Sequence, residues 1–265
     1  MDDYGTRLMN ESVAINYIDE TEYPRVAVMC GRCINMIANM WHSPEKAEWK
    51  TGAVGIGSSE ACMLAGVAAW LRWRERRKAA GKSYDRPNLV MSSAYQVAWE
   101  KFCQLWQIEM RTVPLTRTNT TLDIEQALRM CDENTICIVH IAGVTWTGMN
   151  DDIEALNDAL TEYNFITGFD IPIHVDAASG GFILPFLDPH KNWDFRLKWV
   201  LSISTSGHKY GLVYPGLGWV IWKDKQYLPK EMSFSVNYLG ANISQVGLNF
   251  SRPAAQILAQ YYNFI

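Results

Sequence analysis

The stretch Thr135-Ile-Cys-Ile-Val-His-Ile141 is apolar at nearly every position. A near-continuous apolar run of this length is typical of a parallel strand that helices cover on both faces. Strand-like and helical segments alternate on both sides of this run along most of the chain. This alternation predicts βαβ units, and therefore an α/β fold with a mostly parallel central sheet flanked by helices.

The other segments of the chain extend this pattern in both directions. Further strands are predicted at 88–91, 109–113, 171–176, 200–204 and 218–222. Helices are predicted at 26–41, 58–80, 96–106, 123–131, 152–165 and 252–265, with Pro253 in the first turn of the last one. We expect two parts, an N-terminal segment with a buried helix (1–45) and a large domain (46–265). The last helix has no closing signal, which predicts that a longer natural chain continues past Ile265.

Composition excludes several classes of protein. The 265 residues carry a net charge of −4 and contain no apolar run long enough for a membrane span, so neither nucleic acid nor a membrane is an expected partner. The basic stretch at 72–78 is interpreted as the solvated end of a long helix, where cations suit the helix dipole. Cys30 and Cys33 have CxxC spacing, but no second ligand pair completes a zinc site. We expect no metal, and six reduced packing cysteines in a cytoplasmic protein.

The first candidate for chemistry is Lys209, within Ser204-Thr-Ser-Gly-His-Lys-Tyr-Gly211. Ligands of parallel sheets bind beyond the carboxyl ends of the strands, and this stretch directly follows a predicted strand. A lone loop lysine normally points to water. Here Ser206, His208 and glycine turns crowd the side chain, which favours a fixed amine that can form a Schiff base.

The second candidate is Asp176, at the end of a strand in His174-Val-Asp-Ala-Ala-Ser-Gly-Gly181. A strand-end carboxylate often caps a turn or a helix. It can also pair with a ring nitrogen in the crevice that Lys209 enters. His174 lies on the same strand face and is interpreted as a buried, hydrogen-bonded histidine that orients Asp176.

The third candidate is the turn Gly55-Ile-Gly-Ser-Ser-Glu60 before a long helix. Free N–H groups at a helix start bind phosphate, although serine there can also be a plain helix cap. A dinucleotide site would need an acid after the next strand, whereas Glu75 lies within the basic helix. Motifs of hydrolases and P-loop enzymes are absent from the sequence. An amine, a carboxylate and a phosphate turn are what a fold-type-I enzyme of pyridoxal 5′-phosphate (PLP) requires.

Two of these stretches, Ser206-Gly-His-Lys209 and 174–182, resemble the PLP-dependent amino-acid decarboxylases. The stretches 56–64, 193–197 and 249–254 resemble the bacterial and plant glutamate-decarboxylase branch of that family. The resemblance covers essentially the whole chain. It implies the large domain of a fold-type-I enzyme, with the C-terminal small domain missing from this chain.

The resemblance also implies an activity. It is the PLP-dependent decarboxylation of L-glutamate to 4-aminobutyrate and carbon dioxide, by a homodimer or larger homo-oligomer whose active sites are shared between subunits. A decarboxylase of another amino acid, and a silent relative that acts as a binding protein, remain alternatives.

Residue roles follow from the same resemblance. Lys209 would carry the Schiff base, Asp176 would pair with the ring nitrogen, and His208 would complete the catalytic set. The cofactor-binding residues would be Ser58, Ser59, Gln96, Thr145, Asp176, Ser206, His208 and Lys209, with Ser251 reaching the phosphate of the neighbouring subunit. The substrate would be bound by Asn16, Asp19 and Thr145.

Overall fold

A seven-stranded sheet forms the centre of the molecule in the computed structural model, which describes residues 1–238 and 241–265. Its strands are β1 (Gly52–Gly55), β2 (Asn88–Ser92), β3 (Glu109–Val113), β4 (Thr135–Ile141), β5 (Ile173–Asp176), β6 (Val200–Ser206) and β7 (Gly218–Trp222). They lie in the order β1-β7-β6-β5-β4-β2-β3. The neighbours from β6 to β3 are parallel, and β7 is antiparallel to both β1 and β6. The predicted mostly parallel sheet is confirmed.

Helices connect the strands and cover both faces of the sheet. They are α1 (Asp3–Ser12), α2 (Pro24–Met40), α3 (Gly57–Ala79), α4 (Val97–Leu105), α5 (Ile124–Met130), α6 (Ile153–Thr167), α7 (Leu184–Leu187) and α8 (Ala255–Phe264). Every predicted strand and helix has a counterpart within a few residues. The sequence did not predict strand β1 or helices α1 and α7. It also did not predict a separate hairpin of β8 (Phe234–Tyr238) and β9 (Ala241–Gln245).

The start of α8 differs from the prediction, because Pro253 lies outside the helix. The helix begins at Ala255, and Pro253 forms an isolated antiparallel bridge with Asn16. The Ala254 N–H donates to the carbonyl of Ile15 at 3.1 Å. The backbone before α8 is thus paired with the N-terminal segment, so the helix starts later than a proline at its first turn would place it.

The core lies in two layers on opposite faces of the sheet, and β4 shows why. All seven of its residues are buried, as the apolar run predicts. Ile138 packs into the cluster that includes α2, α5, α6 and α8, whereas Val139 packs into the cluster that includes α3 and α4. Because helices cover both faces, the open edge at the carboxyl ends of the strands is where a ligand can approach.

The six cysteines are all buried and free, as expected for packing residues. Burial raises the pKa of Cys30 to about 11 and that of Cys103 to about 12.

Within residues 1–238 and 241–265, no cluster of histidine, cysteine and acidic side chains has the make-up of a metal site. None of the helices in that part combines the length and apolarity needed to span a bilayer. The division of the chain near residue 45 stays a prediction.

Candidate active site

The sheet brings the predicted chemical residues to one edge. Strand β5 ends at Asp176, and β6 ends at Ser206, three residues before Lys209. Strand β1 runs in the same direction as β6, because both are antiparallel to β7. Its last residue, Gly55, therefore leads into α3 at this edge. The amine, the carboxylate and the glycine-serine turn thus share the edge at which parallel sheets bind ligands.

Lys209 lines a cavity of about 500 Å³ at this edge. The side chain is half-buried, and its Nζ donates to the Oγ of Ser179 at 3.3 Å. Thr145 lines the same cavity, and the Nε2 of Gln96 donates to the Oγ1 of Thr145 at 2.5 Å. The structure therefore brings three of the predicted site residues together. The sequence analysis missed Ser179, although it lies in the same strand-end stretch as Asp176.

Asp176 ends β5, the strand next to β6, and is only 3% exposed. Its Oδ2 accepts the indole N–H of Trp99 at 2.9 Å and the thiol of Cys62 at 3.7 Å. Its Oδ1 accepts the backbone N–H of Ala178 at 3.2 Å. Burial, followed by the charge of Asp176, raises the pKa of the Cys62 thiol well above its usual value, and the charge of Lys209 opposes this with a smaller effect. Both charged groups therefore act on this one thiol.

His174 is buried and hydrogen-bonded, as predicted. Its ring nitrogens contact the hydroxyls of Ser202 at 2.8 Å and Ser204 at 3.1 Å. Its contact with Asp176 is indirect, through Ser204 and Cys62. The sequence analysis missed Trp99 and Cys62 as partners of the carboxylate. The one available signal for Trp99 was its position three residues after Gln96.

Two polar atoms beside Lys209 are buried without a hydrogen-bond partner in the described part of the chain. They are the Oγ of Ser206 and the Nδ1 of His208. Buried polar atoms in folded proteins are nearly always paired, so these two unpaired atoms are available to a polar ligand. Both residues are among those to which the family resemblance gives a cofactor-binding role.

The glycine-serine turn packs against the sheet next to Ser206. Gly218 pairs with Gly55 on one side and with Ser206 on the other. A Cβ at Gly218 would lie 2.1 Å from the carbonyl oxygen of Gly57, so the start of α3 contacts the strand directly. Ser58, in the first turn of α3, therefore lies across one strand from Ser206. Free N–H groups at the start of α3 and the unpaired hydroxyl of Ser206 fit a phosphate group.

Glu60 anchors this turn, a role that the sequence analysis did not assign. The side chain is 5% exposed and accepts the N–H of Ile56 at 2.6 Å. It also accepts the N–H of Leu248 at 2.8 Å and the side-chain amide of Asn249 at 2.9 Å. The Nη1 of Arg252 lies 3.9 Å away. The start of α3 is thereby tied to the segment that carries Ser251.

Asn16, Asp19 and Ser251 form a second group. The Nδ2 of Asn16 donates to the Oγ of Ser251 at 3.3 Å. The Oδ1 of Asp19 accepts the N–H of Glu22 at 3.1 Å, within the turn that precedes α2. These three residues do not line the Lys209 cavity as the structure describes it. Asn16 and Ser251 instead line a separate shallow depression.

A half-buried lysine amine and a buried carboxylate at the carboxyl edge of a mostly parallel sheet, with an unpaired hydroxyl and an unpaired imidazole nitrogen next to the lysine, define the class of fold-type-I PLP enzymes. The residues present fit the cofactor, since the aldehyde, the ring nitrogen and the phosphate each have a partner of suitable chemistry at this edge.

Comparison with known proteins gives the family. The profile of the pyridoxal-dependent decarboxylase conserved domain matches residues 5–265, and the chain belongs to this family, whose cofactor is PLP. Glutamate decarboxylase beta of Listeria innocua is 53% identical over 267 residues, which cover 100% of this chain and 57% of the relative. Glutamate decarboxylase 5 of Arabidopsis thaliana is 51% identical over 260 residues, which cover 98% of this chain and 53% of the relative. The chain thus spans somewhat more than half the length of these relatives.

Solved structures agree with this assignment. A glutamate decarboxylase of Lactobacillus brevis superposes with a TM-score of 0.94 at 52% identity, over 100% of this chain and 60% of that one. A tryptophan decarboxylase of Catharanthus roseus, in complex with L-tryptophan, matches with a TM-score of 0.76 at 18% identity, over 98% of this chain and 57% of that one. The second likeness shows the fold alone.

Proposed function

We propose that this chain is the PLP-binding part of a carboxy-lyase that converts L-glutamate to 4-aminobutyrate and carbon dioxide, with uptake of one proton. The observation that carries the proposal is that the amine of Lys209 and the buried carboxylate of Asp176 follow neighbouring strands at the ligand-binding edge of the sheet. The names of the relatives that are about half identical over the whole chain support glutamate as the substrate.

Three residues would act on the ring of the cofactor. When bound, PLP supplies an electron-withdrawing ring that takes up the electron pair of the breaking bond. Lys209 would hold the aldehyde carbon through Nζ and give it up to the amine of the substrate. Asp176 would hold a proton at the ring nitrogen. Gln96, already fixed by its hydrogen bond to Thr145, would lie against the ring face.

The phosphate would be bound by Ser58, Ser59, Ser206 and His208. The unpaired Oγ of Ser206 and Nδ1 of His208 support this part of the proposal, because a phosphate oxygen would pair both atoms. The start of α3 adds backbone N–H groups and the positive end of the helix dipole. A firmly bound phosphate would keep the cofactor in place while Lys209 exchanges its partner.

Asn16 and Asp19 would bind the distal carboxylate of glutamate, and Thr145 would lie near the reacting end. Asn16 contacts Ser251, and both lie outside the Lys209 cavity of their own chain. We therefore propose that these residues serve the site of a second copy, in a homodimer or larger homo-oligomer. We also propose a cytoplasmic location, which the six free, buried cysteines support.

The test is carbon dioxide release by the full-length protein with PLP, from a panel of glutamate, histidine, tryptophan and other amino acids. The proposal predicts release from glutamate in clear preference to the rest. Replacing Asp176 by alanine should lower kcat by about a hundredfold or more, because a buried charge at the reacting group is lost. The matched control is Asp158→Asn, on the exposed face of α6, which should keep wild-type turnover. Preference for another amino acid, or near-normal turnover of Asp176→Ala, would refute the proposal.

A further inference from the structure

The carboxylate of Asp176 is the end of a longer chain of polar contacts. Behind it, the Sγ of Cys62 lies 3.4 Å from the Oγ of Ser204. The Oγ of Ser204 lies 3.1 Å from the Nε2 of His174, whose Nδ1 lies 2.8 Å from the Oγ of Ser202. The chain thus runs from Ser202 through His174, Ser204 and Cys62 to Asp176.

Water has no access to most of this chain. Cys62 is 2% exposed, Ser204 is 0% exposed and His174 is 1% exposed. Ser202, at the far end, is 7% exposed. The four contacts are direct contacts between side chains, so their hydrogens come from the residues themselves, which makes it possible to assign them.

The assignment starts at the carboxylate, which only accepts hydrogen bonds, so its contact with Cys62 uses the thiol hydrogen. The sulfur of Cys62 can then only accept, so Ser204 must donate its hydroxyl hydrogen to that sulfur. Since a hydroxyl has one hydrogen, the Nε2 of His174 must donate to the oxygen of Ser204. A neutral imidazole then has a bare Nδ1, which accepts the hydroxyl of Ser202. For a neutral imidazole, one arrangement alone satisfies all four contacts.

We propose that His174 is the neutral Nε2–H tautomer, and that Ser202, His174, Ser204 and Cys62 form a one-way hydrogen-bond chain that positions the carboxylate of Asp176. Each hydrogen in the chain points towards Asp176, so the bond dipoles reinforce one another. The effect of this chain on the proton that Asp176 would hold at the ring nitrogen of PLP rests on the proposed function. The arrangement of the chain itself does not.

The surroundings of His174 suit this arrangement. Burial lowers its pKa to about 3 against the smaller, opposing effect of the Ser202 backbone, so the imidazole is neutral at physiological pH. Its ring lies 5.1 Å from that of Trp99, whose indole N–H donates to the same carboxylate oxygen that the thiol contacts. The chain and Trp99 therefore approach Asp176 from the same side, while Ala178 holds the other oxygen.

The direct test is the tautomer of His174 in the full-length protein. Nitrogen-15 NMR separates a bare ring nitrogen from one that carries hydrogen, and the chain has five histidines, so a His174→Gln variant assigns the signal. We expect a neutral ring with hydrogen on Nε2 at neutral pH. Hydrogen on Nδ1, or a doubly protonated ring, would overturn the proposal whether or not the protein binds PLP.

A second test separates positioning from packing. Cys62→Ala removes the thiol donor, and Cys62→Ser restores a donor at the same place. Cys103→Ala removes another buried thiol on the same face of the sheet and serves as the control. The dissociation constant of PLP should rise about fivefold in Cys62→Ala, the equivalent of one hydrogen bond, and stay near wild type in Cys62→Ser and Cys103→Ala.

The same variants give a spectroscopic measurement. The pH at which the visible band of the bound cofactor changes should move in Cys62→Ala and return in Cys62→Ser. Equal behaviour of Cys62→Ala and Cys103→Ala in both measurements would overturn the positioning role. A wild-type protein that binds no PLP would instead refute the proposed function, and the NMR result would still decide the hydrogen-bond chain.

Discussion

Acidification should destabilise the protein through His174. Burial holds the pKa of this histidine at about 3, whereas the same group in an unfolded chain has its ordinary pKa of about 6.5. Between these two values the unfolded chain binds a proton that the folded chain does not bind. The contribution of His174 to stability is therefore fully present above about pH 6.5 and is lost as the pH falls below it.

The size of the effect follows from the same two values. Each pH unit below the unfolded value costs about 1.4 kcal/mol in free energy of unfolding. A fall from pH 8 to pH 5 should therefore remove about 2 kcal/mol through His174 alone. His140 is also fully buried, and burial lowers its pKa too, so it adds to the loss with the same sign.

The assay is urea unfolding of wild type and His174→Gln at pH 8 and pH 5. Glutamine keeps a hydrogen-bonding side chain but does not titrate, so the loss between the two pH values should be about 2 kcal/mol smaller in the variant. His190→Gln, at an exposed position, is the control and should show the wild-type difference. An equal loss in His174→Gln and wild type would refute the reasoning.

Three further predictions follow from the site and the core. Glu60→Ala leaves the buried Arg252 and several partly buried N–H groups without their carboxylate, so urea unfolding should show a loss of about 3–5 kcal/mol, and an unchanged midpoint would contradict this anchor. Gly218→Ala places a Cβ 2.1 Å from the carbonyl of Gly57, so PLP titration should show clearly weaker binding, and wild-type affinity would show that the turn moves freely. The six buried cysteines, with the pKa of Cys30 raised by burial to about 11, should resist Ellman's reagent in the folded protein and react in urea; rapid labelling without denaturant would contradict their burial.

The sheet was predictable because most of its strands are buried on both faces. The apolar run of β4, and the regular spacing of helices between strands, follow from burial and connection length alone. β1 escaped prediction because Gly52-Ala-Val-Gly55 is short and half glycine, so neither periodicity nor β-propensity marks it as a strand. Pro253 was misplaced because its bridge to Asn16 is a contact between distant parts of the chain, which local helix signals do not report.

The candidate site was predictable where its residues follow strands. Lys209 and Asp176 stand at strand ends in glycine-rich stretches, and the topology of the sheet brings them to one edge. The partners of Asp176 were not predictable, because Trp99 and Cys62 come from two helices whose rotation about their axes decides which side chains meet the carboxylate. The spacing of residues along the chain does not determine that rotation.

The most direct test of the central claim is borohydride reduction of the full-length protein after incubation with PLP, followed by peptide mapping. The account predicts a visible band above 400 nm that reduction abolishes, with the pyridoxyl group attached to the peptide that contains Lys209. Attachment to another lysine, or no covalent label in a folded protein, would contradict the account.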